Sequence, residues 1–375
     1  MGRTLDWLYA HDLTKLFAGI ASRARQIFGI KAQQIHVDTT SFSVSGAYAQ
    51  AGARQPGEEE GAASEAALIA ITYGYSRDHR ADLKQWMLAL ATTQDGDVPL
   101  FLQALDGNRS DKVSLLEAIC AIQRQFREAD GEASVYVADN GVYSQSNMKQ
   151  LNQAGVPWVS RVSETLTEAK TVLQEGSKTW YHSEDGTMHW FSREMTLPQG
   201  TERWVIVWTP ASRQRAQQSV QRQVSKAQAS WEQKCWHLSN RRFACEADAR
   251  AALERELKGK PIWLEVHSEL VAHPQYKGRG RPRKDASPTA HQWQIVATVS
   301  INQQQVDEEA VRKACWIIGT NVLDTTMLSE QDLVTTYKEQ GGVERGLRFL
   351  KDPLFLASSV FVKKPCQRPR TFAPR

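Results

Sequence analysis

The sequence predicts a mixed α/β protein in which helices cover a buried central sheet. Residues 34–44 alternate apolar and polar side chains, which is typical of a β-strand. Two apolar runs, 85–93 and 98–105, are joined by the turn Gln-Asp-Gly-Asp and predict an antiparallel hairpin. A predicted helix over 111–126 is then followed by a strand, a helix and another strand. This order is typical of a layer of helices packed on a central sheet.

The middle of the chain has a different character. It is dense in tryptophan, and strand-like runs flank a long polar helical stretch over about 211–257. We therefore expect a β-rich insertion subdomain with a helical hairpin, after which the core resumes and ends in a helix over 329–351. A Gly-, Ala- and Glu-rich stretch, 46–66, is predicted to be a loop. The predicted segments are an N-terminal helical segment, the first part of the core, the insertion, the second part of the core and an irregular basic tail, at residues 1–33, 34–162, 163–310, 311–353 and 354–375.

Composition excludes several classes of protein. Hydrophobic residues make up 41% of the 375 residues and charged residues 23%, as in ordinary globular proteins. No apolar run approaches the length of a membrane span, and the N-terminus lacks the pattern of a signal peptide. The five cysteines contain no C-x-x-C pair, so neither a zinc cluster nor a disulfide framework is indicated. We expect a reduced, cytoplasmic setting.

Positive charge is concentrated rather than large. The formal net charge is only +4, but residues 345–375 contain eight Lys or Arg against one acid. A second basic cluster lies at 276–284. Such focusing is what a surface that binds a phosphate backbone requires.

Two carboxylates lie in or directly after strand-like runs. Asp139 ends the apolar run Val135–Ala138, and Asp38 lies inside the first strand. Asp139 is compatible with a simple turn at Asp-Asn-Gly, and Asp38 with a side chain facing solvent. The alternative is a pair of metal ligands at the end of a sheet, because two close carboxylates repel unless a divalent cation lies between them.

A third acid is expected on the final helix. Tyr337, Glu344 and Lys351 are spaced by seven residues, and Arg348 follows Glu344 by four, so all four project from one helical face. An ordinary solvated face with a weak Glu344–Arg348 pair is the alternative. Three carboxylates brought together would suit phosphoryl transfer assisted by two Mg²⁺ ions.

The chain resembles the DDE transposases of bacterial insertion sequences, whose RNase H-like core is interrupted by a β-rich insertion. The matching segments follow one another in the family's order and are IHVDTTSFSVSGAY, GYSRDHRADLKQ, ALDGNRSD, YVADNGVYS, FACEADA and TTYKEQGGVERGLRFLKDP. The resemblance implies an RNase H-like mixed sheet flanked by helices, and metal-dependent DNA cleavage and strand transfer. It further implies Mg²⁺ or Mn²⁺ as cofactor, double-stranded DNA of the transposon ends and target as partner, and a homodimer on DNA. The expected location is the bacterial cytoplasm, associated with the nucleoid.

The family's helix signature places Tyr, Arg, Glu and Lys at set intervals. This chain matches it with Tyr337, Gln340, Glu344 and Lys351, so glutamine stands where the signature has arginine. The resemblance implies that Asp38, Asp139 and Glu344 are the catalytic and metal-binding residues. The residues expected to contact DNA are Tyr337, Gln340, Arg348, Lys351, Arg279 and Arg281.

Three further expectations concern DNA and activity. Arg279 and Arg281, in Arg-Gly-Arg-Pro, resemble the core of an AT-hook, which lies in a narrow minor groove; a solvated basic loop is the alternative. The short segment before Asp38 and the Pro- and Arg-rich C-terminus suggest a truncated copy. The competing functions are an RNase H-fold nuclease that cuts without joining, and a catalytically inactive DNA-binding remnant.

Overall fold

The computed structural model describes residues 4, 7–8, 11–48, 69–76, 79–128, 135–175, 179–277, 287–352, 360–361 and 370–371. Most of the predicted loop 46–66 and of the predicted tail 354–375 therefore lies outside the described residues. The chain divides into two compact units. Unit 1 comprises Met1–Thr171, Trp190–Val207 and Ile317–Arg375, and unit 2 comprises Val172–His189 and Trp208–Trp316. The predicted insertion, 163–310, overlaps unit 2, while the strand residues 190–207 within it group with unit 1.

The described helices and strands follow in chain order. The first half contains α1 (Leu13–Phe28), β1 (Gln34–Val44), β2 (Lys84–Thr93), β3 (Pro99–Leu105), α2 (Asp111–Glu128), β4 (Val135–Ala138), α3 (Gln145–Gln153), β5 (Trp158–Val162), α4 (Thr167–Glu175), β6 (Tyr181–His182), β7 (His189–Leu197) and β8 (Gly200–Trp208). The second half contains α5 (Pro210–Ser239), β9 (Arg242–Phe243), α6 (Glu246–Leu257), β10 (Leu264–Gln275), β11 (Ala290–Ile301), α7 (Gln303–Ala314), β12 (Trp316–Thr320), α8 (Glu330–Lys338), α9 (Gly341–Leu350), β13 (Val360–Phe361) and β14 (Arg370–Thr371).

A large mixed sheet forms the centre of unit 1. Its strands lie in the order β3-β2-β1-β4-β5-β12-β8-β7. The pairs β1–β2 and β2–β3 are antiparallel, and the pairs β1–β4 and β4–β5 are parallel. Three antiparallel strands followed by two parallel ones form the RNase H-like arrangement, so the predicted fold class is confirmed. The predicted hairpin is observed as β2 and β3, joined by the turn over residues 94–98.

Strand β1 is covered on both faces. Asp38 pairs with Leu90 across the antiparallel β1–β2 ladder, and cross-strand partners point to the same face of a sheet. Leu90 packs against Val343 and Leu347, so α9 covers the face toward which Asp38 points. The next residue, Thr39, points to the opposite face, where its hydroxyl donates a hydrogen bond of 2.9 Å to Asp111 at the start of α2.

The single helix predicted over 329–351 is wrong. Two helices, α8 and α9, occupy this segment and are separated at residues 339–340. α8 packs against β4 and β5, and α9 packs against β1 and β2. Gly341 and Gly342 directly follow this break and begin α9, beside the side chain of Asp97 in the β2–β3 turn. A Cβ atom at position 342 would lie 2.0 Å from Oδ1 of Asp97, so a larger residue fits there only if the Asp97 side chain moves.

Unit 2 combines long helices with a small sheet. β10 and β11 form an antiparallel hairpin, and β9 pairs with β11. The predicted helical hairpin corresponds to α5, which has 30 residues, and α6, which has 12. α5 packs through Val220 and Val224 against Val306 and Ala310 of α7. Among the helices that the structure describes, none has the length and apolar character needed to cross a bilayer.

A buried carboxyl group lies under the turn that follows β4. Glu202 of β8 is fully buried, and three donors surround its carboxyl group. The Tyr143 hydroxyl and the Trp204 indole N–H donate to Oε2 at 2.6 and 2.7 Å, and the Gln199 amide donates to Oε1 at 2.9 Å. Burial raises the pKa of Glu202 above its ordinary value, although the three donors partly oppose the shift.

This pKa shift predicts a specific pH dependence of stability. Because the folded-state pKa is raised, folding takes up a proton, and stability falls as pH rises from about 4.5 through the folded-state pKa. Gln at position 202 does not titrate. We therefore expect the free energy of unfolding of the wild type to fall relative to that of Glu202→Gln over this range, measured by urea unfolding at a series of pH values.

The matched control is Glu184→Gln, which changes an exposed carboxylate. It is measured over the same pH range as the reference for a substitution at an exposed position. A pH-dependent difference for Glu202→Gln no larger than this reference would show that burial does not shift the Glu202 carboxyl group.

The close approach of Asp97 to Gly342 predicts that the effect of Gly342→Ala on stability changes sign when Asp97 is replaced by glycine. Gly342→Ala should destabilise the wild type by about 1–3 kcal/mol, because the added Cβ collides with Asp97. In an Asp97→Gly background the collision is absent, and the same change should stabilise by roughly 0.5–1 kcal/mol through helix propensity. Thermal unfolding of the four proteins tests this, and equal effects of Gly342→Ala in both backgrounds would contradict it.

Candidate active site

Backbone register brings the first two predicted carboxylates together. In the parallel β1–β4 pair, Val37 is the partner of Ala138. Asp38 and Asp139 therefore follow at equivalent positions on neighbouring strands, whose backbones lie about 5 Å apart. Asp38 is half-buried and accepts a 2.7 Å hydrogen bond from the N–H of Thr39, whereas Asp139 is exposed just beyond the end of β4. The two acids thus share the edge of the sheet where β4 ends.

Tyr337 of α8 orients Asp139. Its hydroxyl donates a 3.0 Å hydrogen bond to Oδ1 of Asp139. Burial, followed by the charge of Asp139 and the hydrogen bond to it, raises the pKa of Tyr337 well above its ordinary value. The tyrosine therefore remains a protonated donor at neutral pH and holds the carboxylate in one orientation.

Glu344 is exposed on α9, directly after the buried Val343. Its charge also contributes to raising the pKa of Tyr337, so the hydroxyl that binds Asp139 is within electrostatic reach of Glu344 as well. The three acids are nevertheless not preassembled. Within the described part of the chain, no group of three or more His, Cys, Asp or Glu side chains is close enough to hold a metal ion.

The chemistry of the donor set fits a hard divalent cation. All three predicted ligands are carboxylates, and Mg²⁺ and Mn²⁺ prefer oxygen ligands. Mg²⁺ commonly uses one or two protein carboxylates together with water and substrate phosphates. Asp38 and Asp139, side by side on neighbouring strands, are suited to that role.

Gln340, which was expected to contact DNA, is only 5% exposed. Its Nε2 donates to the carbonyl oxygen of Val37 at 3.0 Å, and its Oε1 lies 3.1 Å from Nδ1 of His36. Both ends of the amide are therefore used inside the protein. In this structure Gln340 joins α9 to β1 and does not present its amide to a phosphate.

The other predicted DNA-contacting residues are placed differently from one another. Arg348 is exposed on α9, and Lys351 is half-buried with its Nζ 6.0 Å from the centre of the Phe42 ring. Arg279 and Arg281 lie outside the described residues. Of Arg348 and Lys351, Arg348 is therefore the more accessible to a ligand.

Sequence reasoning missed Arg161. It lies near the end of β5, next to β4, and its charge lowers the pKa of Tyr337. Its Nη2 also pairs with Glu164 at 2.9 Å. The sequence does contain a pointer to Arg161. Like Asp139, it is a charged residue at or near the end of an apolar, strand-like run, here Trp158–Val162.

Comparison with known proteins identifies the family. The Transposase DDE domain family matches residues 31–365, whereas no curated protein matches the chain. A cryo-EM structure of piggyBac transposase in a synaptic complex with hairpin DNA is 12% identical over 46% of this chain and 33% of that chain, with a TM-score of 0.26. Mos1 transposase in a paired-end complex with the left transposon end is 14% identical over 39% of each chain, with a TM-score of 0.21. The matched part of the chain thus spans well under half of the length of these two transposases. Since the family match covers most of its residues, the chain belongs to the Transposase DDE domain family.

Proposed function

We propose that this protein is a DDE transposase of an insertion sequence, which cleaves DNA and transfers the cut strand with the help of a divalent cation. The observation that carries the proposal is the parallel register of β1 and β4, which aligns Asp38 with Asp139 on neighbouring strands. Membership of the Transposase DDE domain family supports the same chemistry.

Each residue of the site has a role in this proposal. Asp38, Asp139 and Glu344 would hold Mg²⁺ or Mn²⁺. Bound cations would supply the positive charge that activates water or a 3′-hydroxyl and stabilises the leaving oxygen. Tyr337 holds Asp139 in one orientation through its hydroxyl. Arg161, Arg348 and Lys351 provide positive charge for positioning the phosphodiester.

Glu344 is proposed to complete the site when the cation and DNA are present. Its exposed position on α9 leaves its side chain able to change rotamer at low cost, unlike a buried group. Assembly on binding also explains how three like charges are tolerated in the free protein, because close carboxylates repel without a cation.

Unit 2 contributes a candidate surface for duplex DNA. Helix α5 carries three exposed cations, Arg215, Arg222 and Lys226. The second and third follow the first by 7 and 11 residues, which are close to two and three whole helical turns, so the three form one stripe about 16 Å long. α5 has no acid before Glu232. Among the described residues these three cations form no ion pair, whereas arginines of α6 and α7 pair with a glutamate one turn away. An unpaired cationic stripe matches the charge of a phosphate backbone.

The catalytic proposal is tested by Asp139→Asn. On a plasmid carrying the DNA that flanks the coding sequence, we expect Mg²⁺-dependent cleavage to fall at least about 100-fold, because one ligand of the cation is lost. Binding to the same DNA should be unchanged. The control, Asp307→Asn, alters an exposed carboxylate of α7 and should cleave normally.

The same assay separates the competing functions. Joined products show strand transfer, cleavage without joined products indicates a nuclease, and DNA binding without cleavage in the wild type indicates an inactive remnant. Cleavage by Asp139→Asn at the wild-type rate would contradict the proposed site.

The DNA surface on α5 is tested by the triple variant Arg215→Ala, Arg222→Ala and Lys226→Ala. Removing three phosphate contacts should reduce the slope of log affinity against log salt concentration by about 2–3. Binding is measured by fluorescence anisotropy with a labelled duplex at several salt concentrations.

The charge-matched control is Arg250→Ala, Arg255→Ala and Lys258→Ala, on and just after α6, where acids are interspersed. This control should change the slope much less. Equal effects of the two triple variants would show that the stripe on α5 is not a specific DNA surface.

A further inference from the structure

Gln340 occupies the position at which the family signature has arginine, yet the structure uses its side chain inside unit 1. We propose that Gln340 is a positioning residue, whose amide, bonded to His36 and Val37 of β1, sets the position of Glu344 relative to Asp38. The inference rests on the proposed function, because it concerns the placement of the proposed metal ligands.

The hydrogen-bond directions follow from the chemistry of the groups. The carbonyl of Val37 can only accept, so the group of Gln340 facing it must be the NH₂ group at 3.0 Å. The oxygen Oε1 then faces Nδ1 of His36 at 3.1 Å, and this ring nitrogen must carry the proton. The amide thus uses one donor and one acceptor, both on β1.

Arginine could not make the same pair of bonds, because a guanidinium group only donates. It would require Nδ1 of His36 to accept, which moves the ring proton to Nε2. Nε2 of His36 is buried and has no hydrogen-bond partner among the described residues, so it is unsatisfied in either tautomer, and a buried N–H without an acceptor is tolerated less well than a buried lone pair without a donor. His36 and Gln340 are therefore a matched pair, and the change from the signature arginine is consistent with an internal role.

The connection between the two acids is short. Val37, whose carbonyl accepts the amide bond, directly precedes Asp38 in β1. Gln340 lies at the start of α9, where its own carbonyl accepts the N–H of Glu344 at 3.4 Å. Its side chain makes no capping bond to the helix, although a cap is worth about 1 kcal/mol. The side chain instead joins the helix to the strand at the break between α8 and α9.

The decisive measurement is Mn²⁺ binding to the protein with duplex DNA bound, where Glu344 is proposed to join the site, followed by electron paramagnetic resonance. Gln340→Met keeps the length of the side chain and removes both bonds. We expect it to weaken Mn²⁺ binding about tenfold or more, as for other residues that orient metal ligands. DNA affinity should remain within about twofold of the wild type, because the amide is not presented to DNA.

A matched control distinguishes positioning from stability. Gln85 is another buried glutamine of the same sheet, and its amide donates to the carbonyl of Gly107 at 2.7 Å. Gln85→Met should lower the melting temperature in the same way as Gln340→Met but leave Mn²⁺ affinity unchanged. Equal Mn²⁺ affinity in Gln340→Met and the wild type would overturn the inference.

His36→Phe provides a second route, which remains informative if Gln340→Met does not fold. It removes the ring donor while keeping the ring's bulk and leaving the Gln340–Val37 bond in place. We expect weaker Mn²⁺ binding, and the double variant His36→Phe, Gln340→Met should lose no more than the larger single loss, because the two residues act through one connection. Wild-type Mn²⁺ affinity in His36→Phe, or additive losses in the double variant, would contradict the inference.

Gln340→Arg restores the family signature and distinguishes directly between a positioning role and a role in DNA contact. If Gln340 positions the helix, this variant binds DNA no more tightly and cleaves more slowly than the wild type. Tighter DNA binding with undiminished cleavage would assign Gln340 to DNA contact and refute positioning. A wild type that binds no Mn²⁺ and cleaves no DNA would instead refute the proposed function, and the inference with it.

Discussion

The parallel pairing of β1 with β4 is the constraint on which the candidate site depends. The two strands are distant in sequence, and only their register places Asp38 beside Asp139. A slip of one residue would turn every side chain of a strand to the opposite face. Two contacts oppose such a slip. On one face of the sheet, α9 packs on β2, the strand paired with β1. On the other face, the Thr39 hydroxyl is hydrogen bonded to Asp111. Packing on both faces of β1 therefore decides where Asp38 and Asp139 lie.

Buried polar groups connect this sheet to the segments that carry the exposed acids. Gln340 joins α9 to β1, and Glu202 joins β8 to the turn that follows Asp139 through Tyr143. A buried polar group is costly unless it is hydrogen bonded, and these groups have partners whose directions are complementary. The result is a hydrogen-bonded support beneath Asp139 and Glu344, whose side chains are exposed.

The regular elements of the core were predictable from local pattern. Alternation identified β1, the apolar runs identified β2 and β3, and helices were predicted where α2 and α3 lie. The break between α8 and α9 was not predicted, although two weak helix formers, Gly341 and Gly342, directly follow it. The approach of Asp97 to Gly342 joins residues that are distant in sequence and is visible only in the structure. The sequence places Arg161 near the end of an apolar run, but its closeness to Tyr337 depends on how α8 packs against β5.

The sequence by itself determined the fold class and the family, and it predicted the three acids, because strand alternation and motif spacing are local properties. Only the tertiary structure decided what Gln340 does. An amide is equally able to bind a phosphate or a backbone carbonyl, and its choice depends on which groups the fold places within about 3 Å. Here the fold places Val37 and His36 there, and the side chain that the signature assigns to DNA is buried against the strand that carries Asp38.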